Sequence, residues 1–118
     1  MVLSAVSVYS QEDNGPIISF EENRFSFDTI ARNSNGEHNF FFINTGSEPL
    51  LITSAFSSCG CVVPEFPKQP ILPGEKSSIK VKYNTNIVGD FTKVIVVKSN
   101  AKNNSKSILR ISGVVIDE

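Results

Sequence analysis

Apolar and polar residues alternate along this chain in short runs, interrupted by turn residues about every 8–12 positions, the pattern of an all-β sandwich or barrel. No helical period competes with it. Ile17 to Phe20 and Phe25 to Phe27 read as edge-like strands, and Asn33-Ser-Asn-Gly36 as a turn. The run from Glu37 to Asn44 places Phe40 and Phe42 on one face and Phe41 and Ile43 on the other. Thr45 to Pro49 turns the chain into Leu50 to Phe56, where Leu50 and Ile52 share a face.

The next stretch, Val63 to Gly74, carries Pro64, Pro67, Pro70 and Pro73, each lacking the donor that a central strand needs. It is expected to be an ordered surface crossover and not a strand. Pro73-Gly74 fits a type II turn, after which Ile79, Val81 and Tyr83 alternate with Ser78, Lys80 and Lys82. Gly89-Asp90 introduces a strand from Phe91 to Lys98. A polar loop from Ser99 to Ser107 leads to the last strand, Ile108 to Ile116, with Leu109, Ile111, Gly113 and Val115 on one face.

About seven strands result, matching an immunoglobulin-like antiparallel β-sandwich. The predicted core is Phe40, Phe42, Leu50, Ile52, Ile79, Val81, Tyr83, Phe91, Ile95, Val97, Leu109, Ile111 and Val115. A length of 118 residues suits one domain, assigned to residues 17–118. Residues 1–16 are expected to be flexible or the remnant of a signal peptide. Their small apolar run resembles the trailing end of such a signal, although no Lys or Arg precedes Arg24 as a basic n-region would require. A first strand is the alternative.

Composition narrows the partners. The apolar fraction of 40% against 19% charged residues is that of a folded chain, and nine Phe supply bulky core material. A net charge of -1 offers no general attraction to nucleic acid or anionic lipid. No stretch approaches the roughly 20 apolar residues of a transmembrane helix. Charge is uneven, since the first 60 residues hold seven acids against Arg24 and Arg32. Lys76, Lys80, Lys82, Lys93 and Lys98 are candidates for a basic stripe, with solvated strand faces as the ordinary explanation.

Seven short motifs follow one another along the chain: Phe40 to Gly46, Pro49 to Ile52, Ser58-Cys-Gly-Cys61, Leu72 to Glu75, Gly89 to Phe91, Val97 to Asn100 and Leu109 to Gly113. In this order and spacing they resemble those of the bacterial domain-of-unknown-function family 1573, itself related to Hydin-type and major sperm protein immunoglobulin-like domains. The resemblance spans Phe25 to Val115. It implies a bacterial, secreted or envelope-associated domain with no established activity. Family members usually follow the second Cys with Thr, whereas this chain has Val62.

Candidate chemistry is sparse. The single His, His38, lies on a predicted strand beside Phe40, where a structural role is the expectation, and no catalytic residue or cofactor site is assigned. Cys59 and Cys61 form the one unusual constellation. Two residues apart in an extended chain, they point the same way, and three readings stay open: a redox dithiol, half of a four-thiolate metal site shared between two chains, or a tight bend in which Gly60 permits unusual backbone angles. The segment from Ala55 to Phe66 contains no cation to lower a thiol pKa, so help must come from across the fold, with Lys68 as the candidate.

Two functions from different classes follow. The first is a non-catalytic extracytoplasmic binding module, monomeric or weakly dimeric, that meets a protein or envelope partner through apolar residues opposite the core. Phe41, Ile43, Val94, Val96 and Ile108 are the candidate surface. The alternative is a thiol redox or metal-handling protein using Cys59 and Cys61. Localisation is expected to be periplasmic or secreted.

Overall fold

A computed structural model of the chain describes residues 15–117. Eight strands and no helix are found among the described residues: β1 (Ile18–Phe20), β2 (Arg24–Ala31), β3 (Glu37–Asn44), β4 (Ile52–Ser57), β5 (Val62–Glu65), β6 (Lys76–Tyr83), β7 (Gly89–Ser99) and β8 (Lys106–Ile116). They form two four-stranded sheets, ordered β1-β3-β6-β5 and β2-β8-β7-β4, packed as a sandwich. The period-2 alternation accounts for the arrangement, because each strand turns its large apolar residues to the facing sheet. Phe40, Phe42, Ile79 and Val81 from one sheet meet Ile95, Leu109 and Ile111 from the other, all with no exposed surface. Every predicted core residue is buried, each large one worth about 1.5–3 kcal/mol.

Two features depart from expectation. Val63 to Glu65, placed by sequence in the Pro-rich crossover, belong to the strand β5 (Val62–Glu65), paired with β6 so that Pro64 lies opposite Val81. The missing N–H of Pro64 is tolerated because β5 is an edge strand, whose outward backbone groups need no ladder partner. The sandwich is also not wholly antiparallel. β2 pairs with β8 in parallel, with a register shift between Ser26 and Thr29 where Asp28 takes φ 59°. The Ser26 hydroxyl accepts the Asp28 N–H at 3.1 Å there, holding the irregularity in place.

The motif residues that carry no large side chain serve as fasteners. Asn44 is fully buried yet fully bonded. Its Oδ1 accepts from the N–H groups of Ile17 (3.2 Å) and Gly46 (2.9 Å), and its Nδ2 donates to the carbonyls of Glu48 (2.8 Å) and Ile71 (2.9 Å). Asn44 thereby ties the N-terminal strand, the β3–β4 turn and the Pro-rich crossover together. Gly46 is required because a Cβ there would collide with the Gly15 carbonyl. Pro73-Gly74 is the expected type II turn, with φ 86° at Gly74 and the Glu75 N–H donating to Leu72 O at 2.9 Å.

Residues 1–14 of the N-terminal segment lie outside the described residues. Gly15 and Pro16, assigned to that segment from sequence, are bonded into the domain. Ser47 N–H donates to Gly15 O at 3.0 Å and Lys102 N–H to Pro16 O at 2.8 Å.

Candidate functional site

Cys59, Gly60 and Cys61 form the turn by which the chain leaves β4 in one sheet and enters β5 in the other. The two cysteines are joined as a disulfide, with their Cα atoms 5.2 Å apart. Val62 N–H donates to Cys59 O at 3.2 Å and Asn84 N–H to Cys61 O at 2.9 Å, so the turn is anchored on both sides. Both cysteines are half-buried. A Cβ on Gly60 would meet open space and its φ is not left-handed, so the bend does not depend on glycine there. Lys68, the expected source of positive charge, instead lies over the Phe66 ring at 3.7 Å. Lys82 is the cation that shares a surface depression with Gly60 and Cys61. No cluster of three or more His, Cys, Asp or Glu that could hold a metal occurs among the described residues.

His38 packs, half-buried, against aromatic rings at the edge of the core. Its ring stacks on Phe25 at 3.7 Å and meets Phe40 edge-on at 4.8 Å, while Nε2 lies 3.4 Å from a Glu22 carboxylate oxygen. Tyr83, stacked on Phe91 at 3.8 Å, has its phenol pKa pushed up by burial.

The five apolar surface candidates do not come together. Phe41 and Ile43 occupy the outer face of β1-β3-β6-β5, whereas Val94, Val96 and Ile108 occupy the outer face of β2-β8-β7-β4. The candidate Lys stripe does not form either: Lys76, Lys80 and Lys82 lie on β6 in one sheet, and of the two on β7 Lys98 faces outward while Lys93 shares the inward parity of Phe91 and Ile95.

The two outer faces differ in how their charges are met. On the β3-β6 side Lys76 pairs with Glu21 at 2.8 Å and Lys80 with Glu37 at 3.6 Å, and Lys76 Nζ also sits 5.0 Å above the Phe41 ring. On the β8-β7 side the register aligns three apolar residues directly across three strands: Ile108 opposite Val96, and Val96 opposite Phe56. Phe56 and Ile108 are 46% and 40% exposed. Flanking this row are two cross-strand pairs of like charge, Lys98 opposite Lys106 and Arg24 opposite Arg110. None of those four cations has an ion pair among the described residues.

Phe56, Arg24 and Arg110 escaped sequence reasoning for definite reasons. Strict alternation from Ile52 would turn Phe56 inward, but a register shift between Ile52 and Ser54 turns it outward. Arg24 meets Arg110 only because β2 lies parallel to β8, a pairing of chain ends with no local signal. An unpaired Arg on each of two polar-faced strands was the one hint available.

The fold recurs in other proteins at low identity. A protein of unknown function from Porphyromonas gingivalis W83 superposes with a TM-score of 0.77 and 9% identity over 86% of this chain. This chain spans only 48% of that one. The ASH / PapD-like domain 7 of human CEP192 gives 0.64 and 12% identity over 86% of both chains. The periplasmic chaperone SfaE gives 0.58 and 9% identity over 86% of this chain and 57% of its own. No curated protein matches the sequence. The family model described as "Protein of unknown function (DUF1573)" matches residues 18–115, from the start of β1 to the penultimate residue of β8, and the chain belongs to that family.

Proposed function

We propose that this domain is a non-catalytic binding module acting outside the cytoplasm, and that it meets a protein partner through the outer face of the β2-β8-β7-β4 sheet. The observation that carries the reading is the row Phe56, Val96 and Ile108, three apolar side chains in register across three strands, with Phe56 and Ile108 exposed, Val96 half-buried between them and Lys98 Nζ 5.6 Å above the Phe56 ring. Isolated exposed apolar residues are ordinary, whereas an aligned row rimmed by polar groups is the arrangement of an interaction surface. The likeness to SfaE, a periplasmic chaperone, supports protein binding as a use of this fold. The Cys59–Cys61 disulfide supports an oxidising compartment.

Affinity capture from a native envelope extract tests the face, comparing the unmodified protein with a Phe56→Lys, Ile108→Lys double variant of equal thermal stability. Loss of the captured partner from the variant is expected, and identical partner sets would overturn the assignment. Fractionation tests the compartment. Recovery of the protein only in the cytosol would contradict it.

A second reading is favoured by one feature, the half-exposed disulfide at a turn beside Lys82. In thiol exchange the pair would accept two electrons and two protons from a partner dithiol, which would become the disulfide. Measurement of the reduction potential decides it. A pair that neither exchanges with dithiols nor re-forms after reduction is a structural bend.

A further inference from the structure

The like-charge pairs on the binding face have a cost that the fold itself does not require. Residues directly opposite on neighbouring strands lie within about 5.5 Å, and like charges there oppose folding. Arg24 and Arg110 are so placed in the parallel β2-β8 ladder, where the Arg110 N–H is fixed at 2.9 Å to Asn23 O. Lys98 and Lys106 are so placed in the β7-β8 ladder. A concavity of about 500 Å³ opens over the arginine pair, lined by Ser26, Thr92, Ser112 and the edge of Phe25. Guanidinium forks and hydroxyl groups converging in one hollow are the groups that hold an oxyanion. Asp28 stands at the rim, within 3.3 Å of the Ser26 hydroxyl, but neither arginine pairs with it.

Spacing along the strands then specifies the ligand. On β8, Arg110, Ile108 and Lys106 succeed one another at two-residue steps, and on β7 so do Val94, Val96 and Lys98. The face thus presents cation, apolar row and cation, each band about 6.6 Å from the next. An extended polypeptide also points every second side chain the same way at that repeat.

We propose that Arg24 and Arg110 seat a carboxylate of an acidic, extended polypeptide segment of pattern acid-x-apolar-x-acid. Its apolar residue packs on Phe56, Val96 and Ile108, and its second acid meets Lys98 and Lys106. The proposal rests on the reading of this face as the partner-binding one and supplies the chemistry of the partner. Charge complementarity selects the segment, since each of the two like-charge pairs lacks an acid partner among the described residues and one acid of the segment answers each pair.

The test is chemical-shift mapping on the isotope-labelled protein with a capped peptide, Gly-Glu-Ser-Leu-Ser-Glu-Gly, against the same peptide carrying Gln for both Glu and against inorganic phosphate alone. Shifts centred on Arg24, Arg110, Val96 and Ile108 are expected. Affinity should weaken about tenfold for the Gln peptide and for Arg24→Gln or Arg110→Gln, and should fall as salt rises. Both variants should keep or raise the melting temperature, because each relieves a repulsion. Equal binding of the two peptides, shifts elsewhere, no shifts, or binding of phosphate without the peptide would each overturn the proposal. Capture of the native partner that survives Arg24→Gln, Arg110→Gln and fails in Phe56→Lys, Ile108→Lys would also overturn it, while leaving the binding face in place.

Discussion

The two outer faces of the sandwich are built from the same alternation but are finished differently. Phe41 on one and Ile108 on the other are equally exposed, at 41% and 40%. Phe41, however, lies under a lysine that is itself paired with Glu21, and Lys80 on the same face is paired with Glu37, while Lys82 there has no ion pair among the described residues. The opposite face sets its cations against one another across the strands and leaves an apolar row between them. Exposure alone therefore does not separate the two faces; the share of their cations met by acids within the fold does, and that difference is the ground on which the partner surface is proposed.

Both faces hang on one core, so the largest effect erases the comparison altogether. Phe42→Ala should cost about 3–5 kcal/mol and unfold both faces together, with a single coincident transition in denaturant by fluorescence and circular dichroism. Asn44→Ala should cost about 3 kcal/mol, since it strands two half-buried N–H groups, a half-buried carbonyl and the buried Ile71 carbonyl at one end of the sandwich. Hydrogen exchange should then show that end, around Ile17, Glu48 and Ile71, loosening before the sheet faces.

Reduction of the disulfide should matter less. A link of sequence separation 2 closes a very short loop, and the chain-entropy contribution is at most about 1.5 kcal/mol. Thermal melts with and without reductant check this, and the β2-β8-β7-β4 face should keep its peptide binding. Alkali acts through Tyr83. Its folded-state pKa is raised from 10.0, so its contribution to stability is fully present below pH 10 and is lost as pH rises from there through the raised value. Tyr83→Phe should flatten that alkaline decline.

The smallest effects are the most discriminating. Lys76→Gln on the neutralised face should lower stability by no more than about 0.5 kcal/mol, as for exposed ion pairs generally. Arg24→Gln on the other face should raise it by a few tenths of a kcal/mol, about the scale of a cross-strand repulsion. Opposite signs sharpen the contrast between the faces, and equal signs would break it.

Much of the architecture was legible because alternation is a local signal. Phe40, Ile79 and Leu109 each sit within strands whose period is visible in a handful of residues, and their burial followed directly. The features that escaped depend on pairing between distant segments. Pro64 became tolerable in a strand only because β5 fell at a sheet edge, and Phe56 turned outward only because β4 slips register against β7. The candidate surface was half legible for the same reason. Val94, Val96 and Ile108 were found by parity, Phe41 and Ile43 were grouped with them because parity does not say which sheet a strand joins, and Arg24 met Arg110 through a parallel pairing of chain ends.

Site-specific photo-crosslinking in intact cells tests the distinction between the faces most directly, with a photoreactive residue placed at Ile108 or, in a second protein, at Phe41. Adducts to a partner from position 108 and none from position 41 are the expected result. Adducts from position 41 alone, or from neither position, would contradict the assignment of the β2-β8-β7-β4 face as the binding surface.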